Sequence, residues 1–358
     1  MKLFACPACG AVVYFENTKC VLCSALLAFD LSTERFRPLI SPAAAPGAVN
    51  PGDGARPCRN RTEYEACNWA VADDDDNAYC RACRLNQVVP DLTNPAARLG
   101  WIRLEAAKRR LIYTLHQLRL PVEARGAQAP HGLAFAFRQD GVNGEKVVTG
   151  HADGLITINV AEADDASREQ LRFALGEPYR TVLGHFRHEV GHYYWDRLIQ
   201  DGGPIDLFRE LFGDERVDYN GALQRHYAEG APADWPTTHV SAYASAHPWE
   251  DWAETWAHYL HMVDGVETVR SYGLTLKPTL PTRESASALA VRKAPDDSFD
   301  AMLTTWMPVT IALNSFNRGM GIADIYPFAL SERAITKLRF VDQVVRDRAD
   351  ASTRIPID

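Results

Sequence analysis

No stretch of this chain approaches the roughly eighteen consecutive apolar residues of a spanning helix. The start, Met1-Lys2-Leu3-Phe4-Ala5-Cys6, has too short an apolar run for a secretory signal, which leads to the expectation of a cytoplasmic protein. Basic charge is in short supply: 38 Lys and Arg stand against 46 Asp and Glu, for a formal charge of -8. That balance argues against bulk nucleic acid and anionic membrane as electrostatic partners, both of which want a basic face. Cysteine is missing altogether beyond residue 83, so its chemistry is confined to the first quarter of the chain. The rest, 46% hydrophobic and 23% charged, excludes a fibre or a largely disordered chain. A length of 358 residues is enough for at least one full core and two or three units.

The eight cysteines fall into two sets of four. Cys6-x-x-Cys9 and Cys20-x-x-Cys23 are two thiolate knuckles ten residues apart, the spacing of a tetrahedral four-cysteine zinc site. Apolar Val12, Tyr14 and Phe15 lie between them, with too few residues for a core, so metal is expected to supply the folding energy. Cys58, Cys67, Cys80 and Cys83 form a second set, with one tight CxxC and one looser pair, and read as a second structural zinc site. The competing reading is disulfides, which the absent secretory segment and the CxxC spacing disfavour. Between the sets, residues 41–57 are rich in Pro, Gly and Ala and read as a linker. The acidic run Asp73 to Asp76 lacks calcium-loop spacing and reads as a solvated loop. The expected division is a zinc ribbon over 1–40, the linker, a second zinc module over 58–93, and a larger domain over 94–358.

Asn94 followed by Pro95 marks a helix start, and Leu99, Ile102, Ala106, Leu111, Leu115 and Leu118 continue it to Pro121. Its polar face, with Arg98, Arg103, Lys108, Arg109 and Arg110, is expected to be solvated. Two strand-like runs follow, at 133–137 and 147–149, and then residues 155–160 alternate with period two. An edge strand there would offer backbone donors and acceptors to an extended peptide, which makes Thr157, Ile158 and Asn159 candidate substrate-binding residues.

The stretch Gly184-His-Phe-Arg-His-Glu-Val-Gly-His-Tyr-Tyr-Trp195 contains His188-Glu189-x-x-His192. Apolar residues at three-to-four-residue spacing make it a helix, whose first turn is expected at Pro178. Two histidines four apart share one helix face, so both imidazoles can bind one metal ion while Glu189 reaches its water. The bland alternative is a helix with two hydrogen-bonded core histidines. A hydrolytic zinc needs a third protein ligand and an open position. Glu210 and Glu215 are nearby candidates. The preferred one is Glu250 in His247-Pro-Trp-Glu-Asp-Trp-Ala-Glu254, where Pro248 starts a helix and Glu254 follows Glu250 on the same face. Glu254 would then hold the far nitrogen of a ligand histidine. His185 reads as second to the ligands or structural, and His239, His247, His258 and His261 as capping or packing residues.

HExxH with a downstream Glu-x-x-x-Glu helix resembles the gluzincin metallopeptidases. His188-Glu-Val-Gly-His-Tyr-Tyr-Trp195, Phe212-Gly-Asp-Glu-Arg216 and His247-Pro-Trp-Glu-Asp-Trp-Ala-Glu254 look more closely like the bacterial zinc-binding metallopeptidases that carry an N-terminal zinc ribbon. The resemblance implies an α+β chain, zinc-ribbon modules followed by a mostly helical peptidase domain with a small β-sheet. The chain departs from thermolysin in the long separation of His192 from Glu250 and in having no obvious match to its transition-state histidine. Some gluzincins place a tyrosine near the position of Tyr243 to donate to the oxyanion, against which stands a plain packing role.

Beyond residue 274 the chain reads as support. Phe299 to Phe316 suggests a buried helix interrupted by Pro308, and Ser331 opens a last amphipathic helix. Asn314, Ser315, Asn317 and Arg318 read as loop residues before Gly319-Met-Gly321. The expectation is one catalytic and two structural Zn2+, a peptide or protein substrate, and ribbons that contact protein rather than nucleic acid. The rival is a zinc-ribbon binding module with an inactive or scaffold hydrolase body.

Overall fold

The computed structural model describes residues 2–39, 55–141, 143–174, 181–279, 282, 287, 289–291 and 297–354. Most of the linker and the Pro178 helix start therefore lie outside the described residues. The class is α+β, and the chain forms two compact units, Met1–Tyr113 with Val122–Arg168 and Thr114–Pro121 with Glu169–Asp358. Compactness thus divides the chain elsewhere than at residue 94, where the cysteine spacing ends.

The first unit opens with two antiparallel pairs, β1 (Phe4–Ala5) with β2 (Val12–Val13) and β3 (Leu27–Asp30) with β4 (Arg35–Pro38). β5 (Arg56–Pro57) and β6 (Ala70–Val71) pair around α1 (Arg59–Tyr64). Then come β7 (Asn86–Val88), α2 (Pro95–Gln117), β8 (Ala134–Arg138), β9 (Gly150–Ala152), β10 (Leu155–Asn159) and α3 (Asp165–Ala174); α2 ends in the second unit from Thr114, and α3 passes into it at Glu169. Metal is not the sole source of cohesion here, contrary to expectation. Val12 and Tyr14 are exposed, but Phe15 is buried in one aromatic cluster with Phe4, Phe29, Phe36, Trp69 and Tyr113, ring centroids 5.1 to 6.4 Å apart. The two cysteine modules and α2 pool aromatic residues that neither module has in sufficient number alone, each ring pair adding about 0.5–1.5 kcal/mol to its burial.

α2 starts as predicted, with Asn94 Oδ1 accepting from the backbone of Ala96 and Ala97. Its basic face is not wholly solvated. Lys108 and Arg109 are buried; Lys108 Nζ lies 2.7 Å from Glu105 Oε1, and Arg109 donates to Ala66 O at 2.6 Å and stands 3.8 Å from Glu105. One helical turn back, Glu105 supplies the countercharge that makes burial tolerable.

The larger sheet has the order β7-β8-β10-β9, parallel except for β9 against β10. The expectation of an edge strand at 155–160 is corrected. Leu155, Ile156 and Thr157 have strand partners on both sides, and Asn159 uses its side chain on Asp140 and Val147 O. β9, at 150–152 rather than 147–149, takes the position an incoming peptide would need.

The second unit is helical: α4 (Val182–Trp195), α5 (Ile205–Phe212), α6 (Tyr219–Glu229), the short α7 (Trp235–Thr238), α8 (Pro248–Tyr272), α9 (Phe299–Gly319) and α10 (Glu332–Arg354). Trp252, Trp256 and Tyr259 of α8 are buried; Trp252 and Trp256 pack with Tyr194 of α4, Phe208 and Phe212 of α5 and Phe340 of α10. α9 contains Pro308 as read, but Leu313 and Phe316 are exposed. Asn314, Ser315, Asn317 and Arg318 belong to this helix, and three of them bind the segment after it: Asn314 to Tyr326, Asn317 to Ala323 and Arg318 to Asp324. Among the described residues no helix is long and apolar enough to cross a membrane.

Candidate metal centre

α4 begins at Val182, where Thr181 caps it by accepting from Gly184 N at 3.0 Å. From there His188 and His192 point to one side, toward the first turn of α8. That turn starts at Pro248 and is capped by His247, whose Nδ1 accepts from Trp249 N at 3.1 Å. Gly191 sets the approach of the two helices. A Cβ on it would lie 3.0 Å from Ala253 Cα and 3.2 Å from Trp256 Cδ1, and Trp252 Nε1 donates to Gly191 O at 2.9 Å. The motif's glycine and the tryptophan after Glu250 thus lock α4 against the helix bearing the carboxylates.

The candidate ligand atoms of His188, His192 and Glu250 all lie within 4.8 Å of one another. His188 Nε2 is 3.2 Å from His192 Nε2 and 3.0 Å from Glu250 Oε2. Nitrogen and oxygen ligands about 2.0–2.1 Å from a tetrahedral zinc stand about 3.3 Å apart, so these side chains fit that ion. The protonation pattern agrees. Glu254 Oε1 lies 2.7 Å from His188 Nδ1; in the neutral ring with its proton there, Nδ1–H donates to the carboxylate and Nε2 is left as a lone pair facing the other two groups. Glu250 Oε2 is buried and accepts no hydrogen bond. With the histidines neutral, lone pairs gathered at such distances make a set that could hold a cation between them. Burial opposes ionisation of His188, yet the neighbouring Glu250 and Glu254 outweigh it and raise its pKa, so the site attracts positive charge, a proton or a metal ion alike. Burial would likewise raise Glu254, but its bond with His188 holds it down to about 2.

Glu189 is buried, and burial pushes its carboxyl up against the pull of His188, His192 and His185. His185 lies one turn earlier on the same helix. Tyr243, in the turn before α8, has its ring 5.9 Å from that of His188. Burial, followed by the Glu250 charge, raises its hydroxyl pKa far above the working range. Of the nearer candidates, Glu215 is held by Arg209 at 2.6 and 3.0 Å, and Glu210 is exposed on α5. The other histidines cap and pack: His247 as described, His258 on Tyr326, His261 on Arg187, and His239 3.6 Å from Asp251.

Two contributors escaped the sequence reading. Tyr219 donates to Glu250 Oε1 at 2.6 Å, and Ser241 donates to Glu254 Oε2 at 2.6 Å. They lie 31 and 13 residues before their partners, at spacings no helix or strand period connects.

The cysteines form two further centres. Cys6, Cys9, Cys20 and Cys23 converge, as do Cys58, Cys67, Cys80 and Cys83, each set with its sulfurs within 4.8 Å. Sulfur pairs stand 3.7 Å apart and no cysteine is in a disulfide. Four thiolates about 2.3 Å from a tetrahedral zinc would be separated by about 3.8 Å, so both sets fit. The second set is wholly buried, with Arg109 countering its thiolates; the first leaves Cys9 and Cys23 exposed.

Comparison with known proteins bears on all three centres. Residues 97–344 match a family described as "Putative zinc-binding metallo-peptidase", and residues 3–94 match a zinc-ribbon domain. Uncharacterized proteins of Mycobacterium bovis and Mycobacterium tuberculosis are 42% identical over 351 residues, which cover 98% of this chain and 96% of each relative. No solved structure matches.

Proposed function

The chain belongs to the zinc-binding metallo-peptidase family matched over residues 97–344, and from that premise we propose that it is a zinc-dependent peptidase of the HExxH type. The observation that carries the reading is the convergence of His188 Nε2, His192 Nε2 and Glu250, with Glu254 on the far nitrogen of His188. His188, His192 and Glu250 would hold one zinc ion, and the cysteine sets would hold two more. In the histidine site, zinc supplies Lewis acidity and brings the pKa of its water toward neutrality. The protein's own groups do the rest. Glu189, kept basic enough by burial, takes the proton of the attacking water and passes it to the leaving amine. Tyr243 keeps its proton and donates to the oxyanion that develops on the scissile carbonyl. Glu254 and Ser241 fix the ring of His188. The substrate is a peptide or protein. The first ribbon favours a protein contact as well, because Val21 and Leu22, between its last two cysteines, are 91% and 75% exposed.

The test is tightly bound zinc per chain, with hydrolysis of a mixed peptide library, in wild type, His188→Ala and Glu189→Gln prepared side by side. Three zincs are expected in wild type and two in His188→Ala. Glu189→Gln should keep three and lose about 10^2–10^4-fold in turnover. Undiminished turnover in Glu189→Gln would sink the mechanism; equal zinc in wild type and His188→Ala would turn the reading toward a ribbon-borne binding module.

A further inference from the structure

We propose that Tyr219 is a positioning residue that restricts Glu250 to a single ligating oxygen and so keeps a coordination position open for water. The inference rests on the zinc-peptidase reading. A carboxylate beside a metal ion can offer one oxygen or both, and two from Glu250 would fill the place that catalysis needs vacant. The Tyr219 hydroxyl donates to Oε1 at 2.6 Å, whereas Oε2 is buried, accepts no hydrogen bond and lies 3.0 Å from His188 Nε2. The two oxygens are therefore already distinguished: Oε1, 3.6 Å from His192 Nε2, is engaged by the phenol, whereas Oε2, the nearer to a ligand histidine, carries no such donor.

The donor is itself held in place. Tyr219 is the first residue of α6, and its ring packs edge-on against His247 at 5.1 Å and Trp249 at 5.7 Å. His247 caps α8 and Trp249 lies 4.0 Å from the ring of His192.

The test uses the full chain and Tyr219→Phe, which removes the hydroxyl and leaves the ring packing. Near-ultraviolet circular dichroism and retention of the cysteine-bound zinc establish that the variant is folded. The first readout is zinc affinity at the third site, by chelator competition; loss of a partner to a ligand carboxylate should weaken it about 10–100-fold. The second is the visible spectrum after Co2+ loading, taken as the difference from His188→Ala treated identically. Wild type should give the intense bands of a four-coordinate ion, and Tyr219→Phe weaker bands, as Glu250 closes on the ion with both oxygens. Unchanged affinity and an unchanged spectrum would overturn the role of Tyr219 and leave the peptidase standing. A wild type that binds no more metal than His188→Ala would overturn the peptidase reading itself, and this inference with it.

Discussion

Asp251 follows the candidate ligand Glu250 directly and is buried against Lys337 of α10, with 2.5 Å between Nζ and Oδ2. Nζ also donates to Thr238 O at 2.9 Å and lies over the ring of Phe212, and Asp251 has His239 at 3.6 Å, but each is the other's one short charged contact. Removing one partner of such a pair strands the other, at about 3–5 kcal/mol, whereas removing both can be nearly neutral. Lys337→Met should therefore lower the stability measured by denaturant titration by that amount at neutral pH or above. The pairing model fails if Asp251→Asn combined with Lys337→Met does not recover most of the loss. The pH dependence has a definite sign. Burial pushes the Asp251 carboxyl up from its ordinary 3.8 to about 7, against the pull of Lys337. A folded-state pKa above the unfolded value makes ionisation costly as pH rises. The Lys337→Met penalty should therefore be largest above neutrality and shrink as pH falls toward 4, where the lone carboxyl takes a proton in both states.

At the scale of the element, the contact of α4 with α8 turns the HExxH sequence into a site. Gly191→Ala would force a methyl to 3.0 Å from Ala253 Cα, backbone that no rotamer change can move aside. Overpacking of this kind costs about 1–3 kcal/mol. Because Glu250 and Glu254 flank Ala253 on the displaced helix, zinc affinity at the third site should fall more than global stability does. Affinity measured by chelator competition, set beside the thermal midpoint, checks this, and a loss of stability with unaltered affinity would count against it. What was legible in the chain follows the same division. That His188 and His192 converge could be read because one helix face is a local property, and that Glu250 joins them because Pro248 and a four-residue carboxylate spacing announce a helix start. Gly191 looks like filler inside the motif; only the tertiary contact gives it a task. Tyr219 and Ser241 reach their carboxylates across turns, with no period to betray them. Lys108 and Arg109 were misplaced on a solvated face because a charge count cannot see the buried Glu105 and the thiolates that compensate them. The strand at 155–160 showed its alternation correctly, but alternation does not tell an edge from an interior position.

The whole molecule combines two kinds of unit with different dependence on metal. In the first unit the strands that flank the cysteines are only two to four residues long, and the aromatic cluster of Phe15, Phe29 and Trp69 draws on residues beside both cysteine sets. Structural zinc contributes about 10–16 kcal/mol in such modules, more than a typical domain's net stability, so its removal should undo the packing. In the second unit α5, α8 and α10 pack through buried aromatic residues around the Asp251–Lys337 pair, and the only metal-ligand candidate that these helices supply among the described residues, Glu250, stands in the first turn of α8. Graded chelation of the zinc-loaded protein should then proceed in order. The third zinc, with three protein ligands and an open position, leaves first and takes turnover with it, while circular dichroism stays unchanged. The four-cysteine site with Cys9 and Cys23 exposed follows, and the wholly buried site of Cys58, Cys67, Cys80 and Cys83 is the last to release its ion. Loss of these two should collapse the near-ultraviolet signal of Trp69 and Tyr113 and leave most of the far-ultraviolet helical signal in place. Zinc release followed by a metallochromic dye alongside both spectra reads the sequence of events directly. Helical signal lost together with the first zinc would show that the histidine site supports its unit's fold, and a single step for all three ions would show that the two units do not differ in their dependence on metal.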